Sequence, residues 1–144
     1  MTTGMTPGMT TAPTGTRQSV STVRVRYAET DQMGVAYHAN YFVWFEVART
    51  DWLRTYGVTY RELEAEGFFL PVIEARCEYR TSARYDDDLR ITATARMVSA
   101  VRVAFDYEMS GPSAIVAVGH TVHATLDRQG RPVRVPARIK ELIR

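Results

Sequence analysis

Cysteine, lysine and long apolar runs are nearly missing from this sequence. Its 144 residues hold one cysteine, Cys77, and one lysine, Lys140. A lone cysteine cannot close an intramolecular disulfide, and without a second cysteine there is no thiolate cluster to hold a metal. The neighbours of Cys77 read as those of a buried, inert thiol. No apolar run approaches the ~20 residues needed to cross a bilayer. The N-terminus lacks the basic-then-apolar order of a secretory signal. Charge of one sign is also missing: the net value is +2, spread along the chain. Neither nucleic acid nor an acidic membrane surface is therefore an expected partner. Together these absences point to a cytoplasmic protein without membrane insertion. The cations are nearly all arginine, which suits bidentate phosphate contacts, although codon bias explains the same choice.

What is present is one domain's worth of patterned sequence. Residues 1–20 are rich in Thr, Gly, Met, Pro and Ser, with little to bury, and read as a disordered tail. Residues 21–144 form the expected single domain. Val23, Val25 and Tyr27 alternate with Arg24 and Arg26, a half-buried strand. Residues 28–39 break the pattern. The segment 40–56 has helical spacing at Tyr41, Phe45, Ala48 and Trp52, with Asn40 as a candidate N-cap and Gly57 as the stop. A short helix over 60–66 follows.

Four strands come next. They centre on Ile73–Tyr79, Leu89–Met97, Val101–Met109 and Val116–Leu126, and the last places Val116, Val118, Val122, Ala124 and Leu126 on the face of His120. A final helix starts at Pro136. Strands joined by tight turns make an antiparallel sheet, and each has one apolar face to cover. The 40–56 helix is the one element long and aromatic enough to cover it. The expected fold is α+β: a five-stranded antiparallel sheet wrapped around a long central helix, the hotdog arrangement.

The chemistry is concentrated in residues 27–49. Asp31 sits just after a strand, on an irregular loop that runs into a helix N-terminus. Such a terminus offers unpaired N–H groups and partial positive charge. Those donors polarise a carbonyl and stabilise the oxyanion formed on attack. Asp31 would attack that carbonyl or activate a water, and Gly34 would permit the tight loop path. An Asp-x-x-Gly loop before a helix is equally a plain Asp-turn.

Tyr27, Thr30-Asp31, Met33-Gly34, Tyr37-His38, Asn40-Tyr41, Trp44-Phe45-Glu46 and Ala48-Arg49 resemble the signature of the 4-hydroxybenzoyl-CoA thioesterase-like hotdog family. The branch they resemble is that of the acyl-CoA thioesterases related to the Tol-Pal-associated enzyme. The run from Tyr79 to Leu89 resembles that family's second block. The likeness covers residues 23–143.

It implies hydrolysis of an acyl-CoA thioester, with Asp31 as nucleophile or general base. It implies the backbone N–H of His38 as the carbonyl-oxygen donor and Gly34 as the loop glycine; Tyr37 belongs with this catalytic group. Substrate and CoA contacts are expected from Asn40, Arg80, Arg84 and Arg102. One branch binds CoA phosphates with a basic cluster at the turn between the third and fourth strands. Here that turn carries only Arg102 nearby, so a neighbouring subunit could be the source.

No cofactor is implied beyond coenzyme A as part of the substrate. The family closes its open sheet edge by pairing subunits, so a homodimer or homotetramer is expected. Glu46 and Arg49 are spaced for an ion pair. His120 and His123 point to opposite faces, which argues against a shared metal. A non-enzymatic acyl-CoA binder or partner protein, in which Asp31 is only a turn residue, and a hotdog hydratase are the rival readings.

Overall fold

The computed structural model describes residues 17–143. Strand β1 (Gln18–Arg24) leads through a single 3-10 turn at Tyr27–Glu29 to helix α1 (Asn40–Thr55) and helix α2 (Tyr60–Ala65). Strands β2 (Val72–Tyr79), β3 (Asp88–Ser99), β4 (Arg102–Ser110) and β5 (Ile115–Ala124) follow, and helix α3 (Ala137–Ile143) ends the described chain. The strands form one antiparallel sheet in the order β1-β3-β4-β5-β2. It wraps α1, as the patterning implies.

Period-two alternation does most of this work. Leu89, Ile91 and Ala93 on β3, and Val103, Phe105 and Tyr107 on β4, are buried against the helix. The helix returns Tyr41, Trp44, Phe45, Ala48, Trp52 and Leu53. Phe45 stacks flat on Tyr107, centroids 4.3 Å apart and planes 6° from parallel. On β5 the residue facing that ring is Gly119. A Cβ there would lie 2.6 Å from the Phe45 ring and 2.4 Å from the Arg76 carbonyl oxygen. The helix therefore reaches the sheet where β5 has no side chain.

Two strands differ from the sequence expectation. Strand β1 begins at Gln18, inside the stretch expected to be tail; the rest of that stretch, residues 1–16, lies outside the described residues. Its inward residues are Ser19 and Ser21, too polar to read as a core strand. Helix α1 satisfies Ser21 and the nearby backbone: Ser21 Oγ donates to Asp51 Oδ2 at 2.6 Å, Trp52 Nε1–H to the Arg17 carbonyl, and the Tyr56 hydroxyl to the Gln18 carbonyl. Tyr27 has left the strand and stands 78% exposed, edge-on to Tyr85.

Strand β5 is turned over. Its register puts Gly119, Thr121 and His123 opposite the inward Tyr107, Phe105 and Val103. Val118, His120 and Val122 are on the outer face, where His120 Nε2 meets Glu74 at 2.7 Å. Polar side chains survive inside because they satisfy one another. The Leu70 carbonyl can only accept, so His123 Nδ1–H donates to it at 3.0 Å. Nε2 is then an acceptor for the Thr121 hydroxyl at 2.8 Å, and Thr121 accepts from the Tyr107 hydroxyl at 2.7 Å. His120 and His123 do point to opposite faces.

Burial pushes the His123 pKa down to about 4. The unfolded chain, with a histidine near 6.5, takes up its proton first as pH falls. Stability from neutral His123 is thus complete above pH 6.5 and lost between 6.5 and 4. Urea titrations at pH 7.5 and 4.5 should show a loss on the order of 3 kcal/mol that is smaller in His123→Gln. Gly119→Ala should cost about 3 kcal/mol or more through overpacking against backbone and ring, read as a lower urea midpoint at pH 7.5.

Candidate functional site

The loop between β1 and α1 is folded around Asp31. Its N–H donates to the Val35 carbonyl at 2.8 Å, and Gly34 N–H returns to the Asp31 carbonyl at 3.0 Å. Gly34 makes this turn with φ of 81°, a conformation that suits glycine. Asp31 Oδ1 accepts from the Met33 N–H at 2.8 Å and, less closely, from the Val35 N–H at 3.4 Å. The Asp-turn is therefore real, and it occupies one carboxylate oxygen. Oδ2 has no partner among the described residues.

Two further ties aim the loop. Ala36 N–H donates to the Ala83 carbonyl at 2.8 Å, and Val35 bridges Arg84, so the loop is stitched to residues 83–84. The Glu29 carbonyl accepts from both the Tyr37 N–H and Asn40 Nδ2, each at 2.8 Å. Asn40 is thus the first residue of α1 and not its N-cap. Ala39 caps the helix, and it has no side chain that could take a backbone N–H. The expected cap is spent on fastening the loop.

That choice leaves donors open. The N–H groups of Asn40, Tyr41 and Phe42 turn back onto the carbonyls of Tyr37, His38 and Ala39. Those of His38 and Ala39 have no acceptor among the described residues. The His38 imidazole packs beside the Tyr37 ring, centroids 4.5 Å apart, and makes no hydrogen bond among the described residues. Asp31 and His38 line one cavity of about 270 Å³ together with Tyr41, Tyr79, Arg80 and Ser82.

Tyr79 is the member that sequence reasoning passed over. It looked like one more apolar strand residue, yet its hydroxyl donates to the His38 carbonyl at 2.8 Å across 41 residues of chain. Burial, reinforced by the neighbouring Cys77, pushes the Tyr79 pKa up to about 12, so the phenol remains a donor. Burial also raises the pKa of the Tyr41 phenol and the Cys77 thiol.

Other expected residues scatter. Arg80 lines the cavity and pairs at the surface with Glu78 at 3.6 Å. Arg84 lines an adjoining hollow that shares Thr81 and Ser82 with it. Arg102 opens β4 at the far end of the sheet, with the length of β3 between it and the Asp31 loop, roughly 35 Å of extended strand. A chain cannot bring its own Arg102 to its own Asp31. Glu46 and Arg49 make no ion pair among the described residues. Glu46 is exposed on the outer face of α1, whereas the Arg49 guanidinium lies beside the buried Tyr60 and Tyr107 phenols.

Residues 25–143 match the family model described as the thioesterase-like superfamily. The acyl-CoA thioesterase YbgC of Haemophilus influenzae is 31% identical over 120 residues, 82% of this chain and 88% of that one. A DHNA-CoA thioesterase from Staphylococcus aureus superposes with a TM-score of 0.77 at 32% identity, covering 81% of this chain and 80% of that one. A hypothetical protein from Aquifex aeolicus superposes with a TM-score of 0.82 at 29% identity, covering 88% and 99%. With a helix-wrapped sheet, Asp31 and His38 lining one cavity and matches over this length, the chain belongs to the thioesterase-like superfamily.

Proposed function

We propose that this protein hydrolyses the thioester of a small or medium acyl-CoA to the free acid and CoA. One observation carries the reading: Asp31 and His38, whose N–H has no acceptor among the described residues, border the same cavity. The thioester carbonyl oxygen would take the N–H groups of His38 and Ala39. Asp31 would draw a proton from water as hydroxide adds to the carbonyl carbon, and the oxyanion would be held by the same donors. Collapse breaks the C–S bond and releases CoA thiolate, which recovers the proton. Direct attack by Oδ2, giving a mixed anhydride that water then opens, satisfies the same geometry.

Gly34 serves by its backbone, and Tyr37 and Asn40 by holding the loop to Glu29. Arg80 and Arg84 are the cations near enough to meet CoA phosphates. Arg102 could do so only from a neighbouring copy. No resident cofactor enters this chemistry.

A homodimer or homotetramer belongs to the same proposal. Strand β2 is an outer edge, and Val72, Ile73 and Tyr79 are each close to half exposed along it. An open edge with apolar side chains invites pairing with a second copy. The location proposed is the cytoplasm, where a lone thiol stays reduced.

Thiol release from a panel of acyl-CoAs should fall about 10²–10⁴-fold in Asp31→Asn, with the fold retained because the amide oxygen of the new side chain can still accept from the Met33 N–H. Equal rates in both proteins would eliminate Asp31 as the reacting group. Tight binding without thiol release in the wild type would favour the acyl-CoA binder. Single turnover in ¹⁸O-labelled water separates the two routes, because label enters the Asp31 carboxylate only if Asp31 is the nucleophile. Light scattering at micromolar concentration should give two or four times the 16.3 kDa chain mass, and a monomer would remove the assembly from the proposal.

A further inference from the structure

We infer that Tyr79 is a positioning residue for thioester hydrolysis: its hydroxyl, delivered from edge strand β2, orients the peptide that carries a carbonyl-polarising N–H. The inference rests on the reading above, in which the N–H groups of His38 and Ala39 receive the thioester oxygen.

A trans peptide is flat, and its C=O and N–H point in opposite directions. Each donor is therefore aimed by whatever its own peptide's carbonyl accepts. The His38 N–H shares a plane with the Tyr37 carbonyl, which accepts from the Asn40 N–H at 3.0 Å. That is an ordinary first-turn bond, and any helix start supplies it. The Ala39 N–H shares a plane with the His38 carbonyl. Locally this oxygen receives only the Tyr41 N–H, at a long 3.3 Å. Its short bond, 2.8 Å, is the one from Tyr79, well inside the range of a strong hydroxyl donor.

The helix has no side-chain cap, and the long Tyr41 N–H bond is this plane's only other tie among the described residues. The phenol is itself held. Its ring meets Tyr41 nearly edge-on at 4.8 Å and the His38 ring at 6.3 Å. Its backbone is placed by the β2–β5 ladder opposite Ala117. Removing the hydroxyl leaves those ring contacts and frees the peptide to rock, and donor alignment is what oxyanion stabilisation depends on.

Two measurements test this together. Steady-state thiol release by Tyr79→Phe should show kcat reduced about 10–100-fold, part of the loss expected when a donor is removed. KM should stay within about threefold, because substrate binding is not the step affected. The second measurement uses an acyl-CoA carrying ¹³C at the thioester carbonyl, bound to Asp31→Asn so that it is not consumed. Its isotope-edited infrared C=O band should sit below the solution value, and in Asp31→Asn/Tyr79→Phe it should move back toward that value. Arg76→Gln, a change on the same strand, should keep the wild-type kcat.

An unchanged kcat in Tyr79→Phe together with an unmoved band overturns the inference. So does an equal fall in Arg76→Gln, which would assign the effect to disturbance of β2. Full activity of Asp31→Asn would instead overturn the role of Asp31, and the infrared band reads the donors independently of that outcome. A band in Asp31→Asn at the solution frequency would remove the donors themselves.

Discussion

Phe45 lies flat on Tyr107 over a glycine, and the placement of everything else depends on that contact. Helix α1 can approach β5 this closely only because residue 119 has no Cβ. The approach sets how closely the sheet closes on the helix at this point. A larger residue at 119 would push the helix outward and carry His38 away from Tyr79. The packing of the core and the geometry of the site are in this sense one constraint. Close packing has no slack of a few tenths of an ångström to absorb such a push.

The site is made of backbone more than of side chains. Asp31 holds its own loop by one oxygen. The Glu29 carbonyl gathers two donors from residues 37 and 40, and Ala83 and Arg84 clamp residues 35 and 36 from the second sequence block. The two blocks that carry the family resemblance, far apart in sequence, meet in these short main-chain bonds. Their side chains need little freedom of their own, because the scaffold sets the directions.

Much of this was legible in the sequence, for physical reasons that also explain the failures. Strands β3 and β4 and helix α1 declare themselves because burial of one face imposes a period of two or of 3.6, and Leu89–Met97 and Tyr41–Trp52 keep those periods cleanly. Strand β1 was cut short because Ser19 and Ser21 face inward beside α1, whose contacts no local pattern reports. On β5 Val118 and Val122 suggested the wrong face, whereas Val116, beside the bulge, is buried. The real inner face holds Gly119, Thr121 and His123, and it is tolerated only because partners on β4 and at Leu70 complete the hydrogen bonds. Asp31 and Gly34 were singled out from a loop meeting a helix start, and the backbone at His38 from the family resemblance. Asn40 was misassigned because its fastening to Glu29 depends on the loop's three-dimensional path. Tyr79 was missed because its partner is a carbonyl, and carbonyls leave no trace in a sequence. Arg102 was grouped with the site because it adjoins the turn that carries one branch's basic cluster, and the length of β3 leaves only a neighbouring copy to bring it there.

The divided work of Asp31 has an evolutionary side. One oxygen shapes the loop; in the proposed reaction the other acts on the substrate, so the two duties are separable by exchanging a single atom group. An aspartate and an asparagine codon differ at one base. A lineage could pass from a protein that cleaves acyl thioesters to one that merely retains them without rebuilding the loop, the helix start or the sheet. On the proposed reaction, catalyst and receptor are neighbours in sequence space, one carboxylate oxygen apart.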